Sequence, residues 1–223
     1  MTSCSQDNQS VNATYLVVDA SSSPVQVGIP SSDNWITLHK VKAQALEGLF
    51  SATEKVLRDS GIEISKINRV FFCEGPGSTL GLRLAAAFVK TLHWSQQSSD
   101  FEVYAYNALD LASILAPQEN AVIQAPFRVG FRFVRISHIE PIKSEKKIIP
   151  EDEALNEYPD SYHLPDLRKR SKPVDPEKTL DYDLSLIKGI DDLKTISKPC
   201  PDILPYNPKA PEFKKWTPRP LTG

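Results

Sequence analysis

Apolar and polar positions divide the chain into two unlike parts. Up to about residue 116, short apolar runs alternate with stretches of 3.6-residue periodicity. Tyr15-Leu16-Val17-Val18 predicts a buried strand ending at Asp19, and Ala20 to Pro24 a turn. Val25-Gln26-Val27-Gly28-Ile29 and Trp35-Ile36-Thr37-Leu38 predict two more strands of a meander. A helix follows over 42–60, closed by Gly61. It carries two apolar stripes: Ala45, Leu49, Ala52 and Val56, and beside them Leu46, Phe50, Thr53 and Leu57. One stripe suffices to cover a sheet, so two imply that the helix also meets a second helix, in this chain or another. Val70-Phe71-Phe72-Cys73 predicts a central strand, residues 79–94 a helix, Phe101 to Tyr106 a fifth strand, and Asn107 the cap of a short helix through Leu115.

Beyond that point the pattern loosens. Fifteen of the eighteen prolines fall from Pro117 onward, while only Gly130, Gly189 and Gly223 follow Gly81. Residues 121–124 and 127–136 predict a hairpin, with Phe127, Val129, Phe131 and Phe133 on one face and Arg128 and Arg132 on the other. After Pro141 only Asp183 to Thr195 suggests a helix. The expected layout is a disordered leader over 1–13, an α/β domain over 14–117, a reduced second domain over 118–197 and a proline-rich tail over 198–223.

Composition narrows the classes of function. A net charge of −2 gives no general pull toward nucleic acid or anionic membranes. No apolar run approaches a membrane span of roughly 18 residues, and the first residues lack the features of a signal peptide. Cys4, Cys73 and Cys200 lie far apart, which suits a reducing, cytoplasmic setting. The four histidines are scattered, so no metal site is expected. No Gly-x-Ser-x-Gly elbow points to a nucleophile. The basic run Arg168-Lys169-Arg170-Ser171-Lys172, with Arg128, Arg132 and Arg135, is the candidate for contact with nucleic acid; without interleaved aromatics, a solvated run is the plainer alternative.

The chemistry-bearing stretch is the loop Glu74-Gly75-Pro76-Gly77-Ser78 between the central strand and the second long helix. Free N–H groups and the helix dipole favour an anion at such a place. The spacing matches neither the Walker loop nor the dinucleotide fingerprint. Gly75, Gly77, Ser78 and Arg83 are the candidate anion ligands; a tight turn with Arg83 paired to Glu74 is the plainer alternative. Asp19, at the end of the first strand, is the one acid to watch, with ordinary turn use the favoured role.

Gly75-Pro76-Gly77-Ser78-Thr79-Leu80-Gly81-Leu82-Arg83 resembles the Gly-Pro-Gly-Ser-Phe-Thr-Gly-Leu-Arg signature of the TsaB (YeaZ) family, agreeing at seven of nine positions. The opening Tyr15 to Ala20 and the stretch Asn107 to Ala112 are similar to further parts of that family. The resemblance covers roughly the first half and fades after about residue 137; the Asp-Ala-Arg-Arg common near the hairpin is absent. It implies the actin-like ATPase (ribonuclease-H-like) fold, with a complete N-terminal half and a reduced or divergent second half.

The resemblance also implies a role. TsaB proteins pair with TsaD, which transfers a threonylcarbamoyl group to adenosine 37 of tRNA, and they have no working active site of their own. The expectation is therefore a non-catalytic subunit with a TsaD-like partner, a homodimer in isolation, and only indirect contact with tRNA. No cofactor is expected, with ATP or ADP confined to a partner interface. The partner surface is expected at Ala45, Leu49, Phe50, Ala52 and Val56 with Gly81 and Ala85. Two alternatives stay open: a nucleotide-binding enzyme using the loop from Gly75 to Arg83, and a divergent paralogue acting as a protein-interaction module.

Overall fold

Leu16-Val17-Val18 and Val70-Phe71-Phe72-Cys73 carry no polar residue, and they form the middle of the main sheet. The computed structural model describes residues 13–96, 100–136, 140–166 and 171–205. β1 (Tyr15–Asp19) and β4 (Arg69–Gly75) pair in parallel, and β5 (Glu102–Asn107) lies parallel on the far side of β4. β2 (Val25–Pro30) and β3 (Trp35–Val41) continue the sheet antiparallel beyond β1. A central parallel pair must be covered on both faces, which is why its strands are apolar runs rather than alternations.

The two-residue period sorts those runs between two cores. Leu16, Val18, Val70, Phe72, Val103 and Ala105 face one side, where α1 (Ala45–Ser60) and α2 (Thr79–Gln96) pack. Val17, Phe71, Cys73 and Tyr106 face the other, toward α3 (Ala108–Leu115), α5 (Gly189–Ile196) and the second sheet. The expected caps form. Gly61 ends α1 at φ 65° in the left-handed region, and the Asn107 side chain accepts from Leu109 N at 3.0 Å. The order β-β-β-α-β-α-β-α is as the sequence predicts.

The second half holds more structure than its composition suggests. β6 (Ile123–Arg128) and β7 (Phe131–Arg135) form the hairpin, but the expected strand over 127–136 is broken by a turn at Val129 and Gly130, whose φ is 77°. β8 (Lys146–Pro150) and the short β9 (Tyr162–His163) complete a four-stranded sheet, order β8-β7-β6-β9, and α4 (Glu151–Glu157) packs against it. The segment expected to open the tail instead begins with β10 (Ser197–Pro199), which adds a sixth strand to the first sheet beside β5. The chain therefore returns to its first half before it ends. The leader up to residue 12, the tail from 206 and the basic run over 168–170 lie outside the described residues.

Arg132 and Arg135 are buried, which corrects their assignment to a basic surface. Arg135 Nε meets Asp110 Oδ1 at 2.9 Å, and Lys146 Nζ reaches Asp110 Oδ2 at 2.9 Å, tying α3 to the second sheet. Arg132 Nε meets Glu151 Oε1 at 3.1 Å, and its Nη1 lies 3.3 Å from His163 Nδ1. A guanidinium only donates, so His163 must offer a lone pair and stay neutral. Burial, then the charges of Arg132 and Lys178, push the His163 pKa down to about 4.

A base whose pKa is lowered by folding binds more protons when unfolded, so it lowers stability as pH falls from about 6.5 toward 4. Between those limits His163 should cost on the order of 1–3 kcal/mol. Thermal melts from pH 7.5 to 4.5 should show the gap between wild type and His163→Gln change progressively below pH 6.5 and stay constant above 7; parallel curves throughout would contradict this placement.

Candidate functional site

The acid at the end of β1 is closed off by its own chain. Asp19 is 1% exposed, and its Oδ1 accepts from Ser21 N at 2.8 Å and Ser21 Oγ at 2.6 Å. Oδ2 accepts from Tyr106 Oη at 2.7 Å and Tyr182 Oη at 2.8 Å. Two donors on each oxygen occupy about four lone-pair sites, which is all that a carboxylate has. Burial, with the Asp19 charge next, pushes both phenols well above their ordinary pKa, so they remain donors. The Cys73 thiol lies 3.8 Å from Tyr182 Oη, and burial raises its pKa as well. Such a thiol is an inert packing group rather than a nucleophile.

The glycine loop leans on the turn after this acid. Ser78 N donates to Ser21 O at 2.6 Å, so an amide that could cradle an anion is already bonded within the chain. A Cβ on Gly77 would fall 2.3 Å from that same carbonyl, and one on Gly81 would fall 1.8 Å from Ala20 O. Gly77 and Gly81 are therefore required by the approach of the β1–β2 turn. Ser78 Oγ accepts from Gly81 N at 3.3 Å and caps α2, while Gly75 adopts φ 127° at the end of β4. Arg83 is exposed on α2 and has no hydrogen bond or ion pair among the described residues. Glu74 pairs not with Arg83 but with Lys198 of β10, at 3.1 Å.

Above the loop lies a cleft of about 620 Å³ between the two halves. Its walls include Ser21 to Ser23, Ala43, Ala45, Pro76 to Thr79, the hairpin tip Phe127-Arg128-Val129, Leu164, Pro165 and Tyr182. The actin-like fold implies a magnesium–nucleotide beside the acid of β1. The residues here do not fit that group: magnesium needs free carboxylate oxygen, and both Asp19 oxygens are filled. Among the described residues no three His, Cys, Asp or Glu side chains converge as metal ligands.

The expected partner surface is corrected in part. Leu49, Ala52 and Val56 of α1, and Gly81 and Ala85 of α2, are buried in the chain's own first core, where α1 covers β2 and β3. Gly81 meets the backbone of Ala20 rather than a partner helix. Ala45 is half-buried at the cleft. Of the predicted set, Phe50 is free, at 57% exposure, next to Leu46 at 53% and Leu80 at 63%. Phe50 and Phe88 meet edge to face at 5.9 Å, joining the outer stripes of α1 and α2 into one apolar face. Sequence reasoning named Leu46 in the second stripe of α1 but did not include it or Leu80 in the partner surface. It missed Tyr182 entirely, because an Asp-Tyr-Asp in a charged stretch carries no periodic signal.

This architecture is the actin-like ATPase fold. A family model described as TsaD, tRNA N6-adenosine threonylcarbamoyltransferase, matches residues 40–123, less than half of the chain. YeaZ from Pseudomonas aeruginosa superposes with a TM-score of 0.61 at 17% identity, covering 87% of this chain and 99% of that one. A second Pseudomonas aeruginosa protein, an uncharacterized one with similarity to peptidase YeaZ, gives 0.56 at 18% identity, covering 82% and 89%. No curated protein matches by sequence. The likeness to YeaZ thus extends beyond residues 75–83 and across the fold.

Leu49→Asp should unfold the chain, since it places a carboxylate in the first core at a cost of roughly 4 kcal/mol or more. Phe50→Asp should leave circular dichroism unchanged and lower Tm far less than Leu49→Asp does. Gly81→Ala should lower Tm, because the backbone carbonyl of Ala20 must move. Equal effects of the two aspartates on Tm would overturn this division of α1.

Proposed function

We propose that this chain is a non-catalytic, TsaB-like subunit that supports threonylcarbamoyl addition to adenosine 37 of tRNA by pairing with a TsaD-like partner. In isolation it pairs with a second copy of itself. The observation that carries the reading is the apolar face of Leu46, Phe50 and Leu80, with Leu84 and Phe88 half-buried between them. On α2 the outer positions Leu80, Leu84, Ala87, Thr91 and Trp94 recur at steps of four and three, as in helices that pack against other helices. Trp94 is 73% exposed at the far end.

Charges flank this face in a complementary way. Glu47 and Glu54 are exposed on α1, and Arg83 is exposed on α2. In a pairing that sets α1 against the α2 of another protomer, Arg83 meets the acidic edge. Arg83 is then a rim residue of the interface rather than an anion ligand. Burying each large apolar side chain contributes on the order of 1.5–3 kcal/mol before ordering costs.

The saturated Asp19 supports the non-catalytic part of the proposal, and no nucleotide is assigned to the chain alone. The inward pairing of Arg132 and Arg135 supports indirect contact with tRNA. The described residues include no helix long and apolar enough to cross a membrane; a cytoplasmic setting is part of the proposal.

The cleft, with the first turn of α2 at its floor, favours a second reading as a nucleotide-binding enzyme. That reading requires ATP or ADP alone to raise Tm, with loss of the effect in Arg83→Ala. The first reading expects no shift. It also expects Phe50→Asp and Leu80→Asp to sediment as folded monomers and to lose capture of the cell's own TsaD. A dimer of unchanged mass in both variants would contradict the assigned face. Intact dimerisation with no TsaD capture by wild type would leave an interaction module outside tRNA modification.

A further inference from the structure

Tyr182 reaches Asp19 from the opposite end of the chain, and it does not arrive alone. Its carbonyl accepts from Gln26 Nε2 at 3.2 Å, and Leu184 N donates to Gln26 Oε1 at 2.9 Å. Gln26 is 1% exposed and stands opposite Asp19 in the β1–β2 ladder. One buried amide thus pairs both a carbonyl and an N–H of the incoming segment. Further on, Lys40 Nζ bonds Asp183 at 2.5 Å. Ile190 N and Asp191 N donate to the carbonyls of Ser31 and Ser32, at 3.0 and 3.1 Å. A Cβ at Gly189 would fall 2.4 Å from Asn34 O, so the segment is pressed onto the β2–β3 turn. It ends as β10 on the free edge of β5, with Lys198 on Glu74.

We propose that residues 180–199 are an internal latch, and that Asp19, the acid which this fold commits to a magnesium–nucleotide, has become its catch. The disagreement between the fold's usual cation and these residues is then a conversion rather than a simple loss. Two phenols and a serine fill the carboxylate, and one phenol belongs to the segment that carries the chain back from the second sheet. Tyr182 also lines the cleft. The width of the cleft is therefore set by the protein's own segment, where a ligand would set it in a closing enzyme. The same carboxylate holds Ser21, whose carbonyl holds Ser78 at the start of α2, so the latch and the glycine loop share one bonded network. The latch acts on the sheet face opposite α1 and α2, and it does not rest on the partner assignment.

A buried acceptor that loses one donor is left unsatisfied, and the elements it joined should open together. Hydrogen exchange followed by mass spectrometry on full-length Tyr182→Phe should show protection falling about tenfold or more, both over 183–199 and at Ser21 and Ser78. Tm should fall by roughly 3–10 °C. Tyr106→Phe removes a donor to the same oxygen from within the first sheet; it should loosen the turn at Ser21 while leaving 183–199 protected. Should Tyr182→Phe fail to fold, wild-type exchange in low urea serves instead, and Ser21, Ser78 and 183–199 should share one opening transition. The proposal is overturned if Tyr182→Phe leaves the turn protected, or if the segment opens independently of it. A rise in wild-type Tm with magnesium–ATP that depends on Asp19 would overturn it as well.

Discussion

A single carboxylate organises this structure. Asp19 ends β1, lies in the interior and carries four hydrogen bonds from three residues, the farthest of them 163 positions away in sequence. A carboxyl group in such surroundings is tolerable only when its polar atoms are hydrogen-bonded. That requirement brings Tyr106 from β5, Ser21 from the adjoining turn and Tyr182 from the far half to one point. The turn so fixed then dictates the glycines that face it. Gly77 and Gly81 are small because the carbonyls of Ser21 and Ala20 pass within reach of any side chain there.

The same geometry leaves the two sides of the main sheet unlike. The side that faces the second sheet is filled by phenols, a thiol and the returning segment. The outer side keeps an unpaired apolar face on α1 and α2. The likeness to YeaZ at 17% identity is one of fold, and the apolar alternation that builds both cores is enough to keep it.

The first half was legible in the sequence for a physical reason. Parallel strands covered on both faces must be continuous apolar runs, and Gly61 and Asn107 mark helix ends by backbone chemistry that few other residues supply. The second half was not legible, because its buried positions are charged. Arg132 and Arg135 look like surface residues until Glu151 and Asp110, far apart in sequence, are placed beside them. β8, β9 and β10 are short, and α4 starts directly after a proline with three acidic residues, which obscures its period. The candidate site was half legible. Two neighbouring stripes on α1 have the same spacing, so periodicity cannot tell which one the sheet takes; the structure gives the sheet Leu49, Ala52 and Val56 and leaves Leu46 and Phe50 outside. Asp19 was visible as a turn-forming acid, but Tyr182, its partner from the other half, was not.

The most direct test is a crystal structure of the full chain grown with manganese and ADP, with anomalous data collected for the metal. The expected map has Tyr106 and Tyr182 hydroxyls on Asp19, the glycine loop bonded to Ser21, and no anomalous peak at the carboxylate. A manganese peak on Asp19, with Tyr182 swung aside, would show that the acid still serves a cation and would contradict the central claim.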